Sequence, residues 1–92
     1  MDRAINGKEA VELARTNEYD LILMDMNMPL MGGLEATRII KNMYPDLPII
    51  AQTASTSQDE KTNFLNAGCD DVIYKPIKKD LLFEVLLKYA TN

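Results

Sequence analysis

Apolar and polar positions change rhythm several times along the chain, and each change marks an element. Asn6-Gly-Lys-Glu9 has the form of a capping box, an acceptor side chain followed three residues on by a carboxylate. Ala10, Val11, Leu13 and Ala14 then recur at helical spacing, which predicts a helix over about 7–17. Residues 20–25, Asp-Leu-Ile-Leu-Met-Asp, form a short apolar run suited to a strand covered on both faces. Beyond Gly32 and Gly33, Ala36, Ile39, Ile40 and Met43 fall at i, i+3, i+4 and i+7. With Pro45 and Pro48 at the exit they predict a helix over roughly 33–44. Pro-Ile-Ile-Ala-Gln-Thr, 48–53, repeats the strand pattern. Ser57-Gln-Asp-Glu60 is a second capping box, opening a helix anchored by Phe64, Leu65 and Ala67 and stopped at Gly68. Val72-Ile73-Tyr74 is a third short strand, and Leu81, Leu82, Val85, Leu86 and Tyr89 mark a terminal amphipathic helix.

The predicted order is a helix, then strand and helix three times. Strands alternating with helices imply right-handed βα crossovers and an α/β fold, a parallel sheet flanked by helices. No linker divides residues 1–92, so they are expected to form one domain. In such sheets ligands collect at the carboxyl ends of the strands. Asp25 ends the first strand, Thr53 the second, and Lys75 follows the third. A carboxylate, a hydroxyl and an ammonium are therefore expected at one edge. The set suits phosphoryl chemistry: a carboxylate can form an acyl phosphate, a lysine brings a point charge to phosphoryl oxygens, and a threonine hydroxyl can donate to another of them.

Composition narrows the alternatives. The chain has 92 residues, 47% hydrophobic and 26% charged, ordinary globular usage with room for one modest core. Ten Lys and Arg against fourteen Asp and Glu leave a net charge of −4, the wrong sign for direct binding to nucleic acid or anionic lipid. The single cysteine, Cys69, excludes an internal disulfide framework. No apolar run reaches the length of a membrane span or a signal peptide's core, so a cytoplasmic domain without direct membrane contact is expected.

The stretches "NGKEAVELA" (6–14), "YDLILMDMNMPLMGGLEATRIIK" (19–41), "PIIAQTA" (48–54) and "AGCDDVIYKPI" (67–77) resemble the receiver domain of two-component response regulators, the last of them in the wording of receivers attached to hybrid histidine kinases. The resemblance implies a doubly wound parallel sheet of the flavodoxin-like receiver type. It also implies a signalling phosphoacceptor rather than an enzyme, with phosphate passing to Asp25 from a histidine kinase, a phosphotransfer domain or a small phosphodonor. Lys75 would bind the phosphoryl group, Thr53 would turn toward it and Tyr74 would rotate with Thr53. Asn27 would offer its backbone carbonyl to Mg²⁺ beside Asp25, and the Lys75-Pro76 bond would be cis. The output face toward an output domain or protein partner would comprise residues of about 56–67, 71–74 and 79–90.

The departures from the family carry their own expectations. Receivers begin with a strand bearing two adjacent acids that hold Mg²⁺, followed by a first helix, and neither is matched here. Met1-Asp2-Arg3-Ala4-Ile5 resembles the end of the family's second strand, so the fold is expected to be incomplete at its amino end by about one βα unit of roughly 30 residues. Asp2 stands at the wrong place to replace the pair. Asp25 and one carbonyl are few ligands for Mg²⁺, so the ion is expected to bind weakly or not at all. Phosphorylation by this chain alone is then in question. The strand ending at Asp25 would become an exposed apolar edge, favouring oligomers, strand exchange or disorder near residues 1–20.

Plainer assignments stand beside these. Asp70-Asp71, at a helix-to-strand turn, is expected to be solvated rather than metal-binding. Lys75, Lys78 and Lys79 suit phosphoryl binding plus a helix start better than a nucleic-acid patch. Cys69 is expected to be a packed or turn residue. Met24, Met26, Met28 and Met31 fill core and loop, and Gly32-Gly33 lacks the lysine of a phosphate-cradling loop. Two other functions remain open: a non-phosphorylated receiver-like interaction module, and an aspartate-dependent phosphatase or phosphotransferase. The latter resembles Asp-x-Asp-x-Thr, whereas this chain has Asp25-Met-Asn27-Met-Pro29.

Overall fold

The computed structural model describes residues 6–19, 21–26 and 32–90. Helix α1 spans Gly7–Thr16, strand β1 Ile22–Asp25, α2 Gly33–Met43, β2 Ile49–Thr53, α3 Gln58–Ala67, β3 Asp71–Tyr74 and α4 Lys79–Ala90. The sequence places every one of these elements within two residues. Asn6 and Ser57 act as N-caps: Asn6 Oδ1 accepts from the Glu9 amide at 2.8 Å and Ser57 Oγ from the Glu60 amide at 3.3 Å. Each satisfies an amide that the first helical turn would otherwise leave unpaired. Gly68 ends α3 in the left-handed region, φ 118°, where its amide bonds back to the Leu65 carbonyl.

All pairing is parallel, in the order β1-β2-β3. Ile22 lies opposite Ile49 and Asp25 opposite Gln52, while Ile50 faces Asp71 and Thr53 faces Tyr74. Among the described residues β1 is therefore an edge strand. Alternation along the strands divides the core between two faces. Met24, Ile49, Ala51 and Val72 pack with Val11, Ala14, Ala36, Ile40 and Phe64 beneath α1, α2 and α3. Ile50 and Ile73 pack with Val85 of α4 on the other face, joined by half-buried Leu21, Leu23, Leu82 and Tyr89. Three helices thus share one face of the sheet and α4 serves the other.

Two expectations need correction. Leu65 is 43% exposed, so α3 is anchored by Phe64 and Ala67 without it. Leu81 is likewise exposed at 42%, and the sheet-facing stripe of α4 is Leu82, Val85 and Tyr89. Asp70, which is exposed, and Asp71, the first residue of β3, also accept hydrogen bonds. Asp70 Oδ2 accepts from Lys41 Nζ at 2.8 Å and from the Ile49 amide at 2.9 Å, closing the entrance of β2. Asp71 Oδ2 accepts from the Tyr89 hydroxyl at 3.2 Å, which ties the far end of α4 to the start of β3. A turn carboxylate beside the first amide of a neighbouring strand meets a donor that needs a partner, and the two satisfy each other.

Candidate functional site

The strand ends deliver their side chains to one rim by register. Asp25 pairs with Gln52, and the Met26 amide continues the ladder to the Gln52 carbonyl at 3.0 Å. Thr53 pairs with Tyr74, and the Lys75 amide extends β3 by bonding to the Thr53 carbonyl at 2.8 Å. Asp25 and Lys75 consequently end two strands that flank β2, on the same rim. Asp25 continues the alternation of Leu21 and Leu23, and Lys75 that of Ile73, so both belong to the α4 face. Their side chains meet across β2: Lys75 Nζ donates to Asp25 Oδ2 at 2.9 Å. Each is about a third exposed, 35% for Lys75 and 36% for Asp25. An ion pair this open to water adds roughly 0–1 kcal/mol to stability. Its worth lies in placing a cation beside the carboxylate.

Thr53 and Tyr74 have the opposite parity and sit on the face of α1, α2 and α3. Thr53 is almost fully buried, 2% exposed, and its hydroxyl accepts from the Ser55 amide at 3.1 Å. Tyr74 is half-buried and packs against the cluster that contains Phe64 and Val72. The structure therefore brings Asp25 and Lys75 into contact and sets Thr53 beside Tyr74. Asn27 lies outside the described residues. The Lys75-Pro76 peptide is cis.

Gly33, the first residue of α2, escaped the sequence reading except as punctuation. A Cβ placed on it would lie 2.6 Å from the Asp25 carbonyl oxygen, 2.8 Å from Met26 Sδ and 3.1 Å from Met26 Cα. Gly32, one residue earlier, has nothing within 4 Å of such a position. The signal in the sequence is the glycine pair; which member makes the contact is set by how α2 packs on the end of β1.

The described residues do not by themselves make a magnesium site. No group of three or more His, Cys, Asp or Glu side chains among them could hold a metal ion, and one oxygen of Asp25 already faces an ammonium. Mg²⁺ needs near-octahedral oxygen ligation with carboxylate help. A single paired carboxylate falls short of that. No helix among the described residues is long and apolar enough to cross a membrane.

This geometry, a carboxylate and a lysine at the carboxyl edge of a parallel sheet, coincides with what the comparisons return. The family model of the response regulator receiver domain matches residues 1–87, and the chain belongs to that family. It is 42% identical over 91 residues to two-component system protein A of Emericella nidulans, and 41% identical over 92 residues to the aerobic respiration control sensor protein ArcB of Escherichia coli. In each case the match takes in 97% of this chain but only 13% and 12% of the relative's length. Among solved structures, the receiver domain of sensor histidine kinase PA1611 from Pseudomonas aeruginosa superposes with a TM-score of 0.88 at 36% identity, over 97% of this chain and 75% of that one. That domain holds a magnesium ion in its active site cleft. Chemotaxis protein CheY4 of Vibrio cholerae gives a TM-score of 0.88 at 29% identity, covering 96% of this chain and 75% of its own. The fold is thus the flavodoxin-like receiver fold, and its role is that of a phosphoacceptor domain in two-component signalling.

Proposed function

We propose that Asp25 is the phosphoacceptor, that Lys75 holds the incoming phosphoryl group, and that Thr53 and Tyr74 transmit its arrival. The observation that carries this is the 2.9 Å contact between Lys75 Nζ and Asp25 Oδ2 at the carboxyl edge of the sheet. In the transfer a carboxylate oxygen of Asp25 attacks phosphorus. The bond from phosphorus to its donor breaks, and its electron pair leaves on the imidazole nitrogen of a phosphohistidine or the carboxylate oxygen of acetyl phosphate. The product is an acyl phosphate. Lys75, already beside the carboxylate, can move from Asp25 to the phosphoryl oxygens, where its charge opposes the charge developing in transfer. Thr53 gives up the Ser55 amide to donate to another phosphoryl oxygen, and the volume its hydroxyl leaves admits Tyr74. Phosphate thereby favours an output face made from α3, β3 and α4, with the free-energy difference coming from contacts made in one state alone.

The donor is a histidine kinase or a phosphotransfer domain, and the domain works on the cytoplasmic side. The edge of β1, unpaired among the described residues, is a second surface suited to pairing with another copy of the chain.

Intact mass after incubation with acetyl phosphate and Mg²⁺ tests the central assignment. A single phosphoryl adduct that disappears in Asp25→Asn is the expected result. An adduct that persists in Asp25→Asn would place the acceptor elsewhere. A folded protein that takes no phosphoryl group from any donor would favour a receiver-like module that binds without phosphorylation.

A further inference from the structure

The geometry points to Gly33 as a positioning residue for Asp25: by lacking a side chain it lets the first turn of α2 seat against the Asp25-Met26 peptide, and this contact keeps the carboxylate aligned with Lys75. The proposal rests on the assignment of Asp25 as acceptor, and adds a residue that touches neither phosphate nor donor.

Three observations support it. The space a Cβ would need at Gly33 is bounded mainly by backbone, the Asp25 carbonyl oxygen at 2.6 Å and Met26 Cα at 3.1 Å, with Met26 Sδ at 2.8 Å as the remaining wall. A flexible side chain can retreat from a methyl group, whereas a backbone atom moves only with its strand. The same peptide is held on its other side, because the Met26 amide is bonded to the Gln52 carbonyl at 3.0 Å. The strand end therefore lies between β2 and the start of α2. On the helix side, Gly33 itself is buried, and its carbonyl accepts from the Thr37 hydroxyl at 2.7 Å inside the core. Ala36 and Ile40 of the same helix are fully buried. α2 is thus poorly placed to yield, and an added methyl must displace the Asp25-Met26 peptide by several tenths of an ångström. Since Asp25 projects from that peptide, the displacement reaches the carboxylate and its 2.9 Å contact with Lys75.

The test compares Gly33→Ala with Gly32→Ala, the same substitution one residue earlier where nothing is near. Two readouts are taken on the full chain. The first is the rate of phosphorylation by acetyl phosphate with Mg²⁺, expected to fall about 10–100-fold in Gly33→Ala, as a misplacement of up to about 1 Å can cost, and to stay at the wild-type rate in Gly32→Ala. The second needs no phosphate: the ¹³C chemical shift of the Asp25 carboxylate, recorded with and without Lys75→Gln. In the wild type and in Gly32→Ala the shift responds to loss of the lysine; in Gly33→Ala the response is largely lost. A merely structural glycine would lower the melting temperature and leave that response intact. If Gly33→Ala does not fold, the same readouts pass to Gly33→Ala combined with Met26→Ala, which removes the Sδ wall but leaves the added methyl against the Asp25 carbonyl oxygen and Met26 Cα. Loss of the Lys75 response there, with the response retained in Met26→Ala alone, supports the positioning role. A folded Gly33→Ala, or failing that the double variant, whose carboxylate still responds fully to Lys75→Gln overturns it. Should wild type acquire no phosphate on Asp25, the acceptor assignment fails, and the carboxylate readout still decides the role of Gly33.

Discussion

Cys69 shows how strongly the core acts on one side chain. It is 5% exposed, with Sγ 3.9 Å from the Thr37 hydroxyl, and burial raises its thiol from 9.0 to about 11. The Asp70 carboxylate adds to the rise, while the Thr37 hydroxyl and Lys41 ammonium oppose it. The folded chain therefore holds this proton more tightly than the unfolded chain. The linkage follows in sign: the stabilising contribution is complete below the unfolded value and is lost as pH climbs from about 9 to about 11. Urea titrations across that window should show wild type losing more stability than Cys69→Ala, with alkylation of the thiol confined to unfolded protein. Parallel pH profiles for the two would contradict this. At the same scale, Asp25, Thr53 and Lys75 were legible because each closes a strand in the sequence. The partners of Asp70 were not legible: Lys41 lies 29 positions away and Ile49 21, and only the parallel register brings them together.

Among the elements, local signals and tertiary packing agreed wherever a cap or glycine stood at a boundary. Asn6, Ser57 and Gly68 fixed their helix ends through hydrogen bonds that involve residues only three or four positions away, information carried within the segment itself. Which face of a helix is buried depends on what it meets, and that is why Leu65 and Leu81 were misassigned as anchors. The close seat of Gly33 on Asp25-Met26 was hidden for the same reason. α3 is lightly anchored, with only Phe64 and Ala67 buried and its first two turns exposed apart from half-buried Lys61. Its amides should exchange with deuterium faster than those of β2, whose Ile49, Ile50 and Ala51 are fully buried. Equal protection in the two elements would argue against α3 as the moving part of the output face.

At the scale of the whole molecule, the division of the sheet joins the site to the output surface. Asp25 and Lys75 lie toward α4, Thr53 and Tyr74 toward α3, and their strand ends adjoin on one rim. Under the proposed function, a group added on one side is felt on the other through the Thr53–Tyr74 pair. Assembly is tested through the proposed pairing along β1, an edge strand among the described residues. Sedimentation over a range of concentrations should show self-association that weakens when Leu23 is replaced by Lys on that edge strand. A strictly monomeric chain at every concentration would remove the edge from the account.

The proposed function puts the phosphate on Asp25, and chemical trapping of the acyl phosphate shows whether it is there. Borohydride reduces an aspartyl phosphate to homoserine, which peptide mass spectrometry can place in the chain. After treatment with acetyl phosphate or a phosphohistidine donor, the account predicts homoserine at position 25 and at no other aspartate. Homoserine at another position, or a phosphorylated protein in which Asp25 survives reduction unchanged, would contradict it.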